Sequence, residues 1–245
     1  LAEEKRRVRF DFIRVLGHEL KSPLGAIEGY LNLMKDRVSG DDVNAYEEMI
    51  ARSLARAGGM RKLIADLLDM TRIEAGEKKR EFTQVDIREV ANNAVEGVRM
   101  QAEERGITTT LEHSGPMTLT ADRGEIDIVL NNLVSNAVKY NRDGGSVAVT
   151  LRGDDERITI TVRDTGIGLT AEEAAKLFRD FSRIKNAKTR NIPGSGLGLS
   201  IVKKIAALYR GQVSVESQPD NGSTFTVVLD RHASPAESDH EAARS

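Results

Sequence analysis

The chain has 245 residues, of which 36 are basic and 38 acidic, and its formal net charge is −2. This balance, with 4% aromatic residues and no tryptophan, argues against a nucleic-acid-binding protein. The absence of cysteine excludes disulfides, thiolate metal sites and cysteine nucleophiles.

Two long amphipathic helices are predicted over residues 1–75. Apolar residues recur at threes and fours from Leu16 to Val38, and the pattern resumes from Tyr46 to Thr71. Between them, residues 39–42 (SGDD) interrupt the pattern and offer a cap for the second helix, which is expected over residues 43–75. Because two such helices cannot bury both apolar stripes alone, a second copy is expected to complete a four-helix bundle.

A second domain is predicted over residues 83–231, after a polar joint at residues 76–82. Short β-rich runs alternate there with helical runs such as residues 87–104. This texture predicts an α/β sandwich in which helices cover a mixed sheet, so the whole chain is an α+β protein of two domains. The polar tail, residues 232–245, is predicted to be disordered.

The first candidate site is a histidine in the first helix, within the run HELKSPL. Helical spacing predicts that His18 faces away from the apolar stripe, with Glu19 beside it and Ser22 one turn later. Pro23 predicts a bend just after the histidine. An imidazole nitrogen is a competent nucleophile, and Glu19 can orient the ring and accept its proton. An ordinary surface histidine is the alternative for any histidine taken alone.

An asparagine-rich helix, VLNNLVSNAVKYN, is the second candidate. Asn132, Asn136 and Lys139 share one side of it. Asparagine amide oxygens suit Mg²⁺, and a lysine binds phosphates. A plain polar helix face is the alternative.

Glycine-rich turns form the third group of signals. DTGIGL follows a predicted strand, where Asp164 can accept the amino group of adenine. PGSGLGLS precedes a helix, whose first turn attracts anions. NGSTFTVVL places Thr224 at the start of a strand, in support of Asp164. Each run taken alone also fits an ordinary turn or connection.

A cationic connection lies between the two glycine clusters. Residues 182–193 contain four basic side chains and no acidic one: Arg183, Lys185, Lys188 and Arg190. This composition favours a mobile lid over a triphosphate, and a solvated basic loop is the alternative.

Taken in order, these runs resemble the sensor histidine kinases of two-component systems. FIRVLGHELKSPLGAIEGYL is similar to the family's phosphoacceptor box, with matches at Phe12 and residues 18–24 and a departure at Gly17. The later runs resemble the catalytic ATP-binding domain of that family, which has the Bergerat-type nucleotide fold. The resemblance covers roughly residues 8–230, and five ordered blocks are far more specific than any one of them.

The resemblance implies ATP-dependent autophosphorylation of His18, with Glu19 and Ser22 beside it, and transfer of the phosphate to an aspartate of a response regulator receiver domain. It also implies ATP and Mg²⁺ as cofactors, Asn136 as the metal ligand, and a homodimer. By position it assigns further residues to the nucleotide: Asn132, Lys139, Tyr140, Asp164, Gly166, Gly168, Arg183, Gly194, Ser195, Gly196, Leu197, Gly198 and Thr224.

The resemblance also bears on location and on a second activity. The chain starts at Leu1 with neither an initiator methionine nor a signal peptide, and no apolar run reaches the roughly 18 to 20 residues of a membrane span. We therefore expect a cytoplasmic fragment without membrane contact, from a protein whose full length can be attached to the inner membrane. The family also has a regulator phosphatase activity when threonine or asparagine stands four residues after the histidine, and Ser22 occupies that position in this chain.

Two other classes of function compete with the kinase. The nucleotide domain alone fits a conformational ATPase or ATP-binding module, which needs no exposed histidine on a helical hairpin. A dimeric scaffold with an idle pocket is the other alternative, and it gives no reason for Asn136, Asp164 and the glycine clusters to occur together.

Overall fold

The computed structural model describes residues 2–40, 42–75, 80–178 and 196–233, and singly residues 182, 184, 186, 189, 192 and 194. The side chains of residues 2–16, 18, 72, 74 and 75 lie outside this description. The chain divides into two compact units: residues 1–68 with 193–195, and residues 69–192 with 196–245.

The first unit contains a helical hairpin. Helix α1 spans Ala2–Lys35, a 3₁₀ turn spans Val43–Tyr46, and helix α2 spans Glu47–Ala75. The Tyr46 hydroxyl donates to the Gly40 carbonyl at 2.7 Å and accepts from the Ser39 amide at 3.0 Å, which fixes the connection. Both predicted helices are confirmed. Helix α1 runs unbroken through Pro23, so the bend stays a prediction.

The second unit is an α+β fold, as predicted. Its elements in chain order are β1 Phe82–Asp86, α3 Ile87–Glu104, β2 Thr108–Ser114, β3 Thr118–Asp122, α4 Arg123–Lys139, β4 Ser146–Gly153, β5 Arg157–Asp164, α5 Ala171–Ala174, α6 Gly198–Leu208, β6 Gln212–Gln218 and β7 Gly222–Asp230. A five-stranded sheet has the order β2-β4-β5-β7-β6, with β2 and β4 parallel and the other pairs antiparallel. A separate ribbon pairs β1 with β3.

Helices α3, α4 and α6 cover one face of the five-stranded sheet. Along β5, Ile158, Ile160 and Val162 are fully buried. The alternate residues form the other face, where Thr161 and Thr226 lie opposite each other and are half-buried. The period of two in a strand therefore separates an apolar, helix-covered face from a polar one.

The last residue of each strand of the β1–β3 ribbon is the N-cap of the helix that follows it. Asp86 ends β1 and caps α3, and Asp122 ends β3 and caps α4 through the amide of Gly124 at 3.0 Å. The ribbon was missing from the prediction, and Phe82, predicted in the joint, is the first residue of β1. The alternation of polar and apolar residues in β1 is too short and too polar to predict a strand without knowledge of its partner.

A buried charge cluster fastens the beginning of this unit. The Arg80 guanidinium donates two hydrogen bonds to Glu125, at 2.9 and 2.6 Å, and stacks on the rings of Phe82 and Tyr209. The Tyr209 hydroxyl donates to the same carboxylate at 2.6 Å, and burial raises the pKa of that phenol. Both oxygens of the buried Glu125 carboxylate are thus hydrogen-bonded.

The tail predicted to be disordered includes two residues that are folded, His232 and Ala233. Ala233 is buried, and the His232 amide donates to Asp230 at 2.8 Å, so both residues belong to the folded unit. Residues 234–245 lie outside the described part of the chain. Within the described residues, none of the helices combines the length and the apolar character that a membrane span requires.

Candidate active site

Asp164 is the most distinctive polar residue of the second unit. It ends β5, is 5% exposed, and accepts at Oδ1 from the amides of Gly166 (2.8 Å) and Ser223 (3.3 Å). Burial raises the pKa of its carboxyl to about 6, although the two amides act in the opposite direction. Among the described residues, no donor reaches Oδ2. One carboxylate oxygen is therefore fixed by the backbone, and the other can accept from a ligand.

The support from β7 comes from Ser223, so the prediction for Thr224 is wrong by one residue. Ser223 is buried on the same side as Asp164, and its hydroxyl lies 2.9 Å from that of Ser217. Thr224 pairs with Arg163 and is half-buried on the polar face. Adjacent residues of a strand face opposite sides, so the alternation through Phe225 would have selected Ser223.

Glycines hold the turn after Asp164 in close contact with its neighbours. A Cβ on Gly166 would lie 2.2 Å from the Tyr140 carbonyl oxygen. A Cβ on Gly168, which has a φ of +60°, would lie 1.9 Å from the Gln218 carbonyl oxygen. Any side chain at these two predicted positions would push the turn away from its place.

The end of helix α4 meets this turn. The Ile167 amide donates to the Tyr140 carbonyl at 3.1 Å, and Lys139 Nζ lies 5.0 Å from the centre of the Tyr140 ring. Asn136 is half-buried, and its side-chain amide makes no hydrogen bond within the described part of the chain. The Asn136 amide oxygen is therefore available to a ligand or a cation.

Asn132 is more deeply buried than Asn136, with which it was predicted to share one side of α4. It is 8% exposed, and its amide donates to the Ile128 carbonyl at 2.9 Å. A Cβ on Gly198 would lie 2.2 Å from Asn132 Oδ1, so the first residue of α6 touches α4 here. The residue before α6, the buried Leu197, provides no side-chain cap, so the first turn of α6 is suited to an anion.

Helix α4 therefore connects two kinds of polar site. Asn132, beside the start of α6, and Tyr140, beside the Asp164 turn, are eight residues apart, or about 12 Å along a helix axis. An elongated ligand with an amino group at one end and anionic groups at the other matches this arrangement.

Not every predicted site residue lies within the described part of the chain. Gly196 has a φ of +74° and lies two residues before α6, and Gly194 is one of the singly described residues. Arg183 and Ser195 lie outside the described residues, as do Lys185, Lys188 and Arg190 of the predicted lid.

The hairpin carries the predicted catalytic group. His18 lies in α1, and its side chain is outside the described part of the chain. Glu19 is half-buried and Ser22 is exposed.

Two matches with family models decide the classification. Residues 8–76 match the His Kinase A (phospho-acceptor) domain, and residues 121–233 match the Histidine kinase-, DNA gyrase B-, and HSP90-like ATPase family. The chain belongs to the sensor histidine kinases. Similar proteins include the sensor-like histidine kinase SenX3 of Mycolicibacterium smegmatis, 30% identical over 93% of this chain and 59% of that protein. The chain thus spans about three-fifths of the length of that relative.

Solved histidine kinase structures share its fold. The crystal structure of full-length ShkA in complex with AMPPNP is 27% identical, with a TM-score of 0.65 over 92% of this chain and 47% of ShkA. The structure of the histidine kinase ThkA in complex with the response regulator protein TrrA is 23% identical, with a TM-score of 0.74 over 96% of this chain and 66% of that chain. At 23% identity the likeness concerns the fold.

One residue that supports the candidate site was missed in the sequence. The Arg105 guanidinium donates to the carbonyls of Val138 and Asn141, both at 2.7 Å, and pairs with Asp143. It adds a side-chain donor to the Val138 carbonyl, which also accepts from the Asn141 amide at 3.2 Å, and it binds the carbonyl of Asn141 just beyond α4. No local pattern reveals this contact, because Arg105 is more than 30 residues from the carbonyls it caps.

Proposed function

We propose that this chain is an ATP-dependent protein histidine kinase that phosphorylates His18 and passes the phosphate to an aspartate of a response regulator. The observation that carries the proposal is the buried Asp164 carboxylate, with one oxygen held by two amides and the other open to a ligand. An exocyclic amino group such as that of adenine is a donor that fits this acceptor. In this proposal, residues 1–75 form the phosphoacceptor domain and residues 83–231 the nucleotide domain.

The phosphates would lie toward the asparagine side of α4. The first turn of α6 offers uncapped amides, and Lys139 supplies a positive charge. Asn136 fits a Mg²⁺ ligand, because its amide oxygen is hard and its side chain makes no hydrogen bond within the described residues. Bound Mg²⁺ would neutralise charge on the phosphates, and Asn136 would orient it.

The phosphoacceptor would be the imidazole of His18. A ring nitrogen attacks the γ-phosphorus, the bond from that phosphorus to the bridging oxygen breaks, and ADP leaves with the electron pair. Glu19 would orient the ring and accept its proton. Phosphoryl transfer mainly requires positioning of the reactants and neutralisation of charge. In this proposal, the nucleotide domain neutralises the charge and the hairpin carries the acceptor. Phosphatase activity, with the exposed Ser22, stays a prediction.

A homodimer is part of the same proposal. Leu24, Leu31 and Val38 are spaced seven residues apart and are 46%, 54% and 65% exposed. Helix α2 adds further exposed apolar side chains: Ile50, Leu54, Ile64 and Leu68. A second hairpin would bury these side chains in a four-helix bundle. The response regulator follows from the family, and the ThkA structure with TrrA is one example of this fold with such a partner.

The Asn136→Ala substitution tests the nucleotide half of the proposal. We expect the initial autophosphorylation rate at saturating Mg²⁺-ATP to fall at least about 100-fold, because the variant removes the metal ligand on α4. The rate is measured by incorporation of γ-labelled phosphate over a Mg²⁺ titration. Asn131→Ala is the matched control, since Asn131 is the exposed asparagine on the same helix. Equal turnover in both variants would remove Asn136 from the metal role.

The pH dependence of ADP binding tests the role of Asp164. With a pKa of about 6, its carboxyl is charged above pH 6 and protonated below it. Because only the charged form accepts fully from the amino group, affinity should fall by up to about tenfold per pH unit below 6. Calorimetric titrations at pH 5 to 8 measure this slope. Purine riboside diphosphate, which has the same phosphates but no amino group, is the control, and an equal slope for both nucleotides would contradict the assignment.

A further inference from the structure

Thr165, the residue after Asp164, belongs to a small, partly buried hydrogen-bond network that has no role in the proposed function. The Thr165 hydroxyl donates to Asn141 Oδ1 at 3.2 Å and accepts from the Ser146 amide at 2.8 Å. The Thr165 amide donates to the Ser146 carbonyl at 3.2 Å. Thr165 is therefore fixed through its backbone and through its side chain.

Asn141 is the other centre of this network. It is 4% exposed and follows the end of α4 by two residues. Its Nδ2 donates to the Ser146 carbonyl at 3.0 Å, and its Oδ1 also accepts from the Arg142 amide at 3.0 Å. The end of α4, the start of β4 and the turn after β5 meet at this one side chain.

The backbones of two glycines approach the network closely. A Cβ on Gly145 would lie 2.3 Å from Asn141 Oδ1 and 2.8 Å from Thr165 Oγ1. A Cβ on Gly166 would lie 2.9 Å from the Asn141 Cα. Because the backbones pack this closely, loss of a hydrogen bond here is expected to shift the turn that starts at Asp164.

We propose that Asn141 and Thr165 are positioning residues that set how well Asp164 discriminates a nucleotide by its amino group. This inference rests on the proposed function, since it concerns the same pocket. Asp164 Oδ1 takes its 2.8 Å hydrogen bond from Gly166, the residue directly after Thr165. The direction of Oδ2 therefore depends on where the network holds this turn.

Thr165→Val is the test variant, because valine keeps the branched shape and removes both hydroxyl hydrogen bonds. We expect ADP affinity to fall about tenfold, and the affinity for purine riboside diphosphate to change less than about twofold. Calorimetric titration of the full chain measures both values. Thr165→Ser retains the hydroxyl and should restore the preference for ADP.

The same comparison in the Asp164→Asn background completes the test. Thr165→Val should cause no further loss there, because the acceptor that it positions is already absent. Equal losses for both nucleotides, full additivity with Asp164→Asn, or no rescue by Thr165→Ser would overturn the inference.

These outcomes also separate this inference from the proposed function. If Asp164→Asn itself leaves the preference for ADP intact, the proposed function fails. If Asp164→Asn abolishes the preference and Thr165→Val does not reduce it, only the positioning role fails. Thermal melting of each variant without nucleotide identifies a general loss of folding, which would also overturn the positioning role for that variant.

Discussion

The His18→Gln variant is expected to bind ADP as tightly as the unsubstituted chain and to incorporate no phosphate from γ-labelled ATP. Glutamine retains polarity and helix propensity but has no nucleophilic nitrogen, so the acceptor is lost while the nucleotide unit is untouched. Labelling should fall to background in an assay that also tests chemical stability, since phosphate on histidine is lost in acid and retained in base.

The matched control for this variant is His113→Gln, which changes an exposed histidine on β2 of the nucleotide unit. It should label at the normal rate. Persistent labelling of His18→Gln would remove this residue from the phosphoacceptor role, whatever the result for nucleotide binding.

The Asp164→Asn variant is expected to lose ADP affinity by about 100-fold and to gain thermal stability in the absence of nucleotide. Asparagine still offers one oxygen to the amides of Gly166 and Ser223, but it presents an amino group where Oδ2 stood. Two donors would then face each other in the bound state. Affinity is measured by calorimetry at pH 7.5.

The stability gain of Asp164→Asn has a definite pH dependence. Burial raises the pKa of this carboxyl from 3.8 to about 6, so holding it charged costs the folded state at most about 3 kcal/mol above pH 6. The free-energy cost of the charged Asp164 should shrink as pH falls from 6 to 4, because the folded state then binds the proton. The stability gain of Asp164→Asn should shrink with it. Differential scanning calorimetry at pH 7 and pH 4 measures it.

Asp127→Asn is the control for the Asp164→Asn variant. Asp127 is also an aspartate of the second unit whose pKa is raised by burial, but it lies near the start of α4 beside Arg123. This substitution should leave ADP affinity unchanged. Wild-type affinity in Asp164→Asn would contradict the assignment of the adenine acceptor.

Periodicity predicted the elements that carry strong local signals. The run at residues 87–104 coincides with α3, and the five strands of the main sheet lie where β-rich runs were found. Strands β1 and β3 of the ribbon were not predicted, because a five-residue strand such as Phe82–Asp86 shows little alternation of polar and apolar residues. Its pairing with β3 involves residues about 40 positions away, and such a partner leaves no mark on a local pattern.

The candidate site divides in the same way. Asp164, Gly166 and Gly168 were predicted because they belong to one local sequence motif, DTGIGL. The geometry of the turn follows from that motif. The error at Thr224 was avoidable, since strand alternation assigns Ser223 to the buried side. The contacts of Arg105 and Asn141 were not predictable, because each depends on which distant carbonyl the fold brings within reach.

Phosphate is expected to move from a nucleotide held at Asp164 to the imidazole of His18. The decisive test is to map the labelled peptide after incubation with Mg²⁺ and γ-labelled ATP, with all steps kept at neutral or basic pH. We expect the label on the peptide that contains His18. Label on a serine or threonine peptide, or an unlabelled protein that binds ADP under the same conditions, would contradict this transfer.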